Sequence, residues 1–424
     1  MKKYFYSFSL LLKTAIFAIV ISSCEKEGSF DTIDWKISNG VLTIRGTGEI
    51  KDFYGLFEIP WHSKRDKIKR VIIEEGITSI GMRVIFSCDN LTSISLPQSL
   101  TTIGSYSIGE CSSLVTIEVA YNNPNFSSVD GILYNKDKTT LIRFPEGKQS
   151  VSVWPSSITT IGVGAFGGCR KIVSISLPES LIYIESFAFR DCINLVSIIL
   201  PESLTTIGSA AFSNCSNLVS ITLPHSFETF IFMRTAFQLC EKLVSIDVVN
   251  SNPNFSSVDG ILYDKDKTML LLFPRGKQSI SIVPNSVTAI GDYAFAGCKY
   301  LKEITIPNSV KYIGYASFEQ SGLTSVTIHA SIERIYSWAF TKCPKLKTII
   351  FEGPIGSMGN NIFTDWDYIP RAYELEVKCS PFTVPNSFLS DFDLDKSILT
   401  VPKGTKGIFV SDNIWGKFKN IIEK

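Results

Sequence analysis

The residues of this 424-residue chain that could do chemistry are ten cysteines, three histidines, one glycine cluster and two aspartate-bearing turns. The cysteines keep a beat. Cys88 to Cys111 is 23 residues, and Cys169, Cys192 and Cys215 follow at the same interval. No pair is spaced C-x-x-C, so neither a zinc ribbon nor a dithiol redox centre is on offer. Eight of the ten hold one position of a repeat, and in-register neighbours in a stack of strands sit about 4.8 Å apart with parallel side chains. A disulfide needs converging Cβ atoms and a dihedral of roughly 90° about its sulfurs. The pattern therefore predicts buried free thiols, and Ser321, which holds the same position in one unit, fits that expectation. His62, His225 and His329 lie far apart, and neither H-E-x-x-H nor G-x-S-x-G occurs. Gly162, Gly164 and Gly167 satisfy G-x-G-x-x-G, but a dinucleotide site needs a strand before it, a helix after it and an acidic residue about 20 positions on. Here the glycines belong to a recurring I-G-x-x-A-F-x-x-C frame. The turns at Asp130 and Asn135-Lys136-Asp137, and at Asp259 and Asp264-Lys265-Asp266, carry lysines where an EF-hand loop alternates oxygen ligands. Solvated hairpin turns are expected, with no metal and no cofactor.

Charge narrows the partners. Lys and Arg number 41 against 40 Asp and Glu, so the clustered cations that phosphate contacts require are missing and no nucleic-acid partner is expected. With 45% hydrophobic and 19% charged residues, the chain can bury a large core and is not disordered.

Residues 1–23 read as an export signal. Lys2 and Lys3 precede an apolar run that Lys13 and Thr14 interrupt, too broken for a transmembrane helix of about 20 apolar residues. The run meets Ile21-Ser22-Ser23-Cys24, which resembles the lipobox of bacterial lipoproteins and implies acylation of Cys24. Residues 24–33, with Glu25-Lys26-Glu27 at their start, are expected to form a lipidated tether. By the same resemblance, an acidic stretch after the cysteine implies an outer-membrane protein exposed at the cell surface.

The elements that must position everything else come from a 23-residue repeat. Residues 204–226 read LTTIGSAAFSNCSNLVSITLPHS and residues 158–180 read ITTIGVGAFGGCRKIVSISLPES. Nine units start near Ile77, Leu100, Ile158, Leu181, Leu204, Phe227, Val287, Val310 and Ile332. In L-x-x-I-x-L-P, Leu218, Ile221 and Leu223 should point inward and Ser220 and Thr222 outward, with Pro224 ending the strand. One such unit cannot bury its own apolar face; a stack of them can. Residues 122–150 and 251–279, lying 129 apart, agree at 23 of 29 positions. Each is expected to insert a hairpin whose strands flank a polar turn.

The frame is similar to the BspA-like leucine-rich-repeat proteins of bacteria. That resemblance implies a mainly β, right-handed leucine-rich-repeat solenoid over residues 77–354, an N-terminal cap at 34–76 and a C-terminal cap at 355–424. It also implies a non-enzymatic, lipid-anchored surface protein, expected as a monomer, that binds an extracellular protein or polysaccharide in adhesion or host interaction. A surface hydrolase or glycan-processing accessory, and a purely structural spacer, are the alternatives. The outward face of the main sheet carries mostly Ser and Thr, poor material for binding hot spots. The candidate ligand contacts are therefore Tyr134 and Tyr263 in the two insertions, and Tyr106, Tyr293 and Trp338, aromatic residues near the A-F corner of their units.

Overall fold

The computed structural model describes residues 26–279, 283–329, 332–364, 371–382, 384 and 386–424. Cys24 and the leader lie outside them. The chain is a mainly β leucine-rich-repeat solenoid that divides into two compact units. The first comprises Met1–Val173 with Ser180–Ile193, and the second Ser174–Glu179 with Asn194–Lys424.

In the first unit a front sheet starts with two antiparallel pairings, Lys26–Phe30 with Ile33–Ser38 and Ile33–Ser38 with Val41–Gly46. From there it runs parallel through Arg70–Ile73, Ser93–Leu96 and Thr116–Val119. The parallel register advances by one coil at each step, Ile94 beside Ile117 and Leu96 beside Val119. Leu91, Ile94, Leu114 and Ile117 are buried on its inner side. A fully buried side chain of this size contributes about 1.5–3 kcal/mol, so each added coil stabilises its neighbour. Two shorter ladders complete the coil. One contains Ile77–Ile80 and Thr102–Ile103, the other Ile85–Phe86 and Ile108–Gly109. Strands also run through the segments expected to form the tether and the two caps. Residues 26–30, read as tether, form a strand. The parallel ladder already begins at residues 41–46 and 70–73, inside the expected N-terminal cap. In the second unit it continues past residue 354 through Glu374–Val377, Ile398–Val401 and Asn420–Glu423. The chain closes there around buried Trp415, whose Nε1 donates to the carbonyl of Phe382 at 3.0 Å.

Each insertion has three strands, not two. In the first, Phe126–Val129 pairs antiparallel with Ile132–Asn135, which pairs antiparallel with Thr140–Arg143; the last joins Thr160–Ile161 in a parallel ladder. The extra strand was legible in the sequence. Asp130-Gly131 is a D-G dipeptide, the strongest short hairpin signal, and both residues are left-handed, φ 50° and 71°. A Cβ on Gly131 would come within 2.6 Å of Thr116 Oγ1, so the hairpin can only pack on the front strand with glycine there. The second insertion repeats this plan with Phe255–Val258, Ile261–Asp264 and Met269–Leu272.

Inside the coils the A-F phenylalanines stack ring on ring. Phe144, Phe166 and Phe189 follow at 4.7 and 4.8 Å in the first unit. Phe295, Phe318 and Phe340 follow at 4.7 and 4.9 Å in the second. The eight repeat cysteines are buried free thiols, as their spacing predicts. Several donate to the carbonyl of the phenylalanine one coil earlier, Cys192 to Phe166, Cys240 to Phe212 and Cys343 to Phe318, each at 3.1 Å.

Candidate functional site

Tyr134 and Tyr263, expected among the ligand contacts, are wholly buried. The middle strand of each insertion is enclosed on both faces, since Ile132 and Leu133 are buried beside Tyr134, and Ile261 and Leu262 beside Tyr263. Their hydroxyls have no hydrogen-bond partner among the described residues, and burial raises the pKa of both, Tyr263 to about 12. The near-identity of the insertions has a structural cause as well. Asn123 Nδ2 donates to the carbonyls of Pro97 and Leu100 at 2.8 and 2.9 Å, while its Oδ1 accepts from the N–H of Asn125 and Phe126 at 2.8 and 2.7 Å. Asn252 makes the same four bonds in the second unit.

Tyr106, Tyr293 and Trp338 occupy another setting. The residue two before the buried corner side chain (Ile85, Ile108 or a phenylalanine) takes a left-handed backbone in eight coils: φ is 59° at Arg83, 56° at Tyr106, 61° at Gly164, 61° at Phe187, 52° at Ala210, 59° at Tyr293, 48° at Ala316 and 67° at Trp338. Glycine takes this conformation freely, whereas any residue with a Cβ loses about 1–2 kcal/mol. The rings at these corners are half-buried or exposed. In the second unit the Arg234 guanidinium lies 4.4 Å from the Tyr293 ring centre, and Tyr315 meets it edge-on at 5.5 Å.

In the first unit the corners enclose a cleft of about 410 Å³. Tyr106 and Phe187 wall it, with ring centres 6.3 Å apart and planes at 62°. Gly164, Gly167 and Gly168 of the coil between them project no side chain into the gap. Gly164 and Gly167 belong to the G-x-G-x-x-G match, and residues 163–168 are turn rather than helix. Beneath lies an ion pair from the insertion, Arg143 with Glu146, both almost fully buried. Arg143 Nη1 also donates to the carbonyl of Gly164 at 2.9 Å, while its Nε is buried with no partner among the described residues. Burial raises the Glu146 pKa despite the opposing pull of Arg143 and the Glu110 and Cys111 N–H groups it accepts. Arg190 lies 5.7 Å from the Phe187 ring centre, pairs with Asp191 at 3.2 Å and hydrogen-bonds the Tyr106 hydroxyl. Burial raises the Tyr106 pKa against the pull of that arginine.

The other chemical candidates stay apart. His62 contacts Arg65, His225 the carbonyl of Ser251, and His329 the Glu352 carboxylate. Asp130 is held by Lys148 at 3.2 Å and Ser152 at 2.8 Å. Among the described residues no group of three His, Cys, Asp or Glu is arranged to hold a metal, and no helix is long and apolar enough to cross a membrane.

A profile of the BspA type leucine-rich repeat region matches residues 62–152, 144–258 and 274–371, in six copies. The chain belongs to that family. Its fold is also similar to solved structures, each at low identity. A leucine-rich repeat protein from Eubacterium ventriosum is 23% identical, with 89% of this chain and 84% of that one covered and a TM-score of 0.44. The pneumococcal vaccine antigen PcpA is 20% identical, covering 94% and 98%, with a TM-score of 0.49. A leucine rich cell surface protein from Faecalibacterium prausnitzii is 21% identical, covering 78% and 89%, with a TM-score of 0.47. No curated protein matches significantly.

Within this BspA-type frame, the aromatic corners Tyr106 and Phe187 are legible in the sequence, but sequence reasoning missed Arg190, Arg143 and Glu146 as residues of one site with them. A signal for two of them existed, because positions 143 and 146 are among the six at which the insertions differ. Missed too were the valines just before the front strands: Val196, Val219 and Val244 are 39–41% exposed and give the second unit an apolar edge beside its hydroxyl face.

Proposed function

We propose that this BspA-type protein is anchored by lipid at Cys24, stands at the outer-membrane surface and binds an extracellular protein or polysaccharide without catalysing a reaction. The observation that carries the reading is the set of corner aromatics. Large rings occupy left-handed positions at Tyr106, Phe187, Tyr293 and Trp338, each at a conformational cost that glycine at the same place avoids. Backbone strain of this kind collects where a side chain serves recognition, and Tyr and Trp are favoured binding anchors. The lipid anchor rests on the lipobox resemblance of Ile21-Ser22-Ser23-Cys24.

The test is capture of extracellular-matrix proteins and arrayed glycans by the full chain in mild detergent. A double variant, Tyr106→Thr with Phe187→Ala, installs the residues found 129 positions later, Thr235 and Ala316. The parent should retain a partner that the variant releases, and the recovered partner should be chemically unaltered. A partner cleaved by the protein would contradict the non-catalytic reading. Equal capture by parent and variant would contradict the role of the corners.

A further inference from the structure

We infer that the cleft between Tyr106 and Phe187 is a binding site for a carboxylate-bearing sugar, a uronate or sialate unit of a larger glycan; the inference rests on reading the chain as a binding protein. The cleft combines three kinds of group that such a ligand uses together. The rings of Tyr106 and Phe187 offer apolar faces on which the C–H side of a pyranose can lie. Arg143 at the floor, with Arg190 and Arg83 among the lining residues, offers planar guanidinium forks that match a carboxylate. Glu146 and its neighbours supply acceptors for ring hydroxyls. Four arginines, Arg83, Arg143, Arg170 and Arg190, line the cleft against three carboxylates, Glu110, Glu146 and Asp191, so one positive charge is in excess for an anionic ligand.

The site is prepared before any ligand arrives. Arg190 is fixed by the Tyr106 hydroxyl, Asp191 and the Phe187 ring, so little freedom remains to be lost on binding. The Arg143 Nε, buried without a partner, is a cost the fold alone does not explain. A volume of about 410 Å³ falls within the range of small-molecule clefts.

The second unit provides the internal contrast. Moving 129 residues on, Arg143 becomes Leu272, Glu146 becomes Arg275, Tyr106 becomes Thr235, and Gly164 becomes Tyr293. Tyr293 stands where Gly164 does and Arg234 covers its ring, and the cavity lined by Tyr293, Leu272 and Arg275 holds only about 10 Å³. The same backbone plan thus exists with the cleft closed. The open form follows from particular side chains and not from the solenoid.

The test uses the full chain in mild detergent, titrated with fluorescent trigalacturonate and sialyllactose, and with maltotriose as the neutral control. At least one acidic probe should bind at least tenfold more tightly than maltotriose. The pair Arg143→Leu with Glu146→Arg, which installs the second unit's residues, should lose at least tenfold in affinity for that probe. Tyr106→Thr should do the same with an unchanged thermal midpoint, which serves if the double variant fails to fold. Acidic probes that bind no better than maltotriose, or binding that survives Tyr106→Thr, would overturn the inference. If neither acidic probe binds while an extracellular partner is still captured through the corners, the sugar class is wrong and the binding reading stands. If nothing binds in either experiment, both fail.

Discussion

The repeat thiols show how a residue type with reactive chemistry becomes structural. Cys169, Cys240 and Cys298 are buried, and that burial pushes their pKa up, to about 12 for Cys240 and Cys298. Cys111 is raised as well, chiefly by its hydrogen bond with Cys88 and then by burial. In the native protein these thiols should resist a thiol reagent at pH 8, and all eight should react once the chain is denatured without reductant; three or four protected pairs would contradict the ladder. The pH dependence follows from the sign of the shift. An unfolded thiol ionises near its ordinary 9.0 while a folded one holds its proton to about 12, so the unfolded state binds fewer protons across that window. The stabilisation is complete below about pH 8 and falls by about 1.4 kcal/mol per pH unit per thiol as the pH rises through it. Denaturant midpoints measured from pH 7 to 11 should be flat first and then decline. Asn123 makes a contrasting prediction. Asn123→Ala would strand the buried Pro97 carbonyl and the buried Phe126 N–H, each costing about 1–3 kcal/mol, and would weaken the pairing of the Leu100 carbonyl and the half-buried Asn125 N–H, so the loss should amount to several kcal/mol in urea unfolding. Tyr134→Phe, which removes a hydroxyl without a partner, should be neutral or stabilising by the same measurement.

At the scale of the element, the coil is readable because its period is strict. Leu218, Ile221, Leu223 and Phe212 stand where alternation and the Pro224 stop require, and all are buried. The insertions were harder. Their polar turn at 135–138 was evident, yet Phe126–Val129 reads as a loop unless Asp130-Gly131 is given its full weight as a hairpin turn. Tyr134 and Tyr263 were misplaced for a related reason. A tyrosine beside a polar turn looks like a surface residue, yet both faces of its strand are covered. Gly131→Ala tests the element directly, because it adds a left-handed Cβ and drives it into Thr116. The substitution should cost about 2 kcal/mol or more, and a change within 0.5 kcal/mol would contradict the packing of the hairpin on the front strand. The cleft was illegible for a different reason. Tyr106, Arg143 and Phe187 are far apart in sequence, and only the stacking of coils brings them together.

At the scale of the whole molecule, the first unit carries an open corner face and the second a closed one, although both follow the same BspA-type frame. The lipidation proposed at Cys24 would bring that face to the cell surface. Cys24→Ala should release the protein from the membrane fraction and abolish labelling by radioactive palmitate; unchanged labelling would contradict the lipobox reading. Binding at the corner face is tested most directly by amide hydrogen exchange of the full chain with and without a captured partner. Added protection should appear at residues 105–110, 163–168 and 186–191 of the first unit. Protection confined to the insertion turns at 135–138 and 264–267, with the corners unchanged, would contradict it.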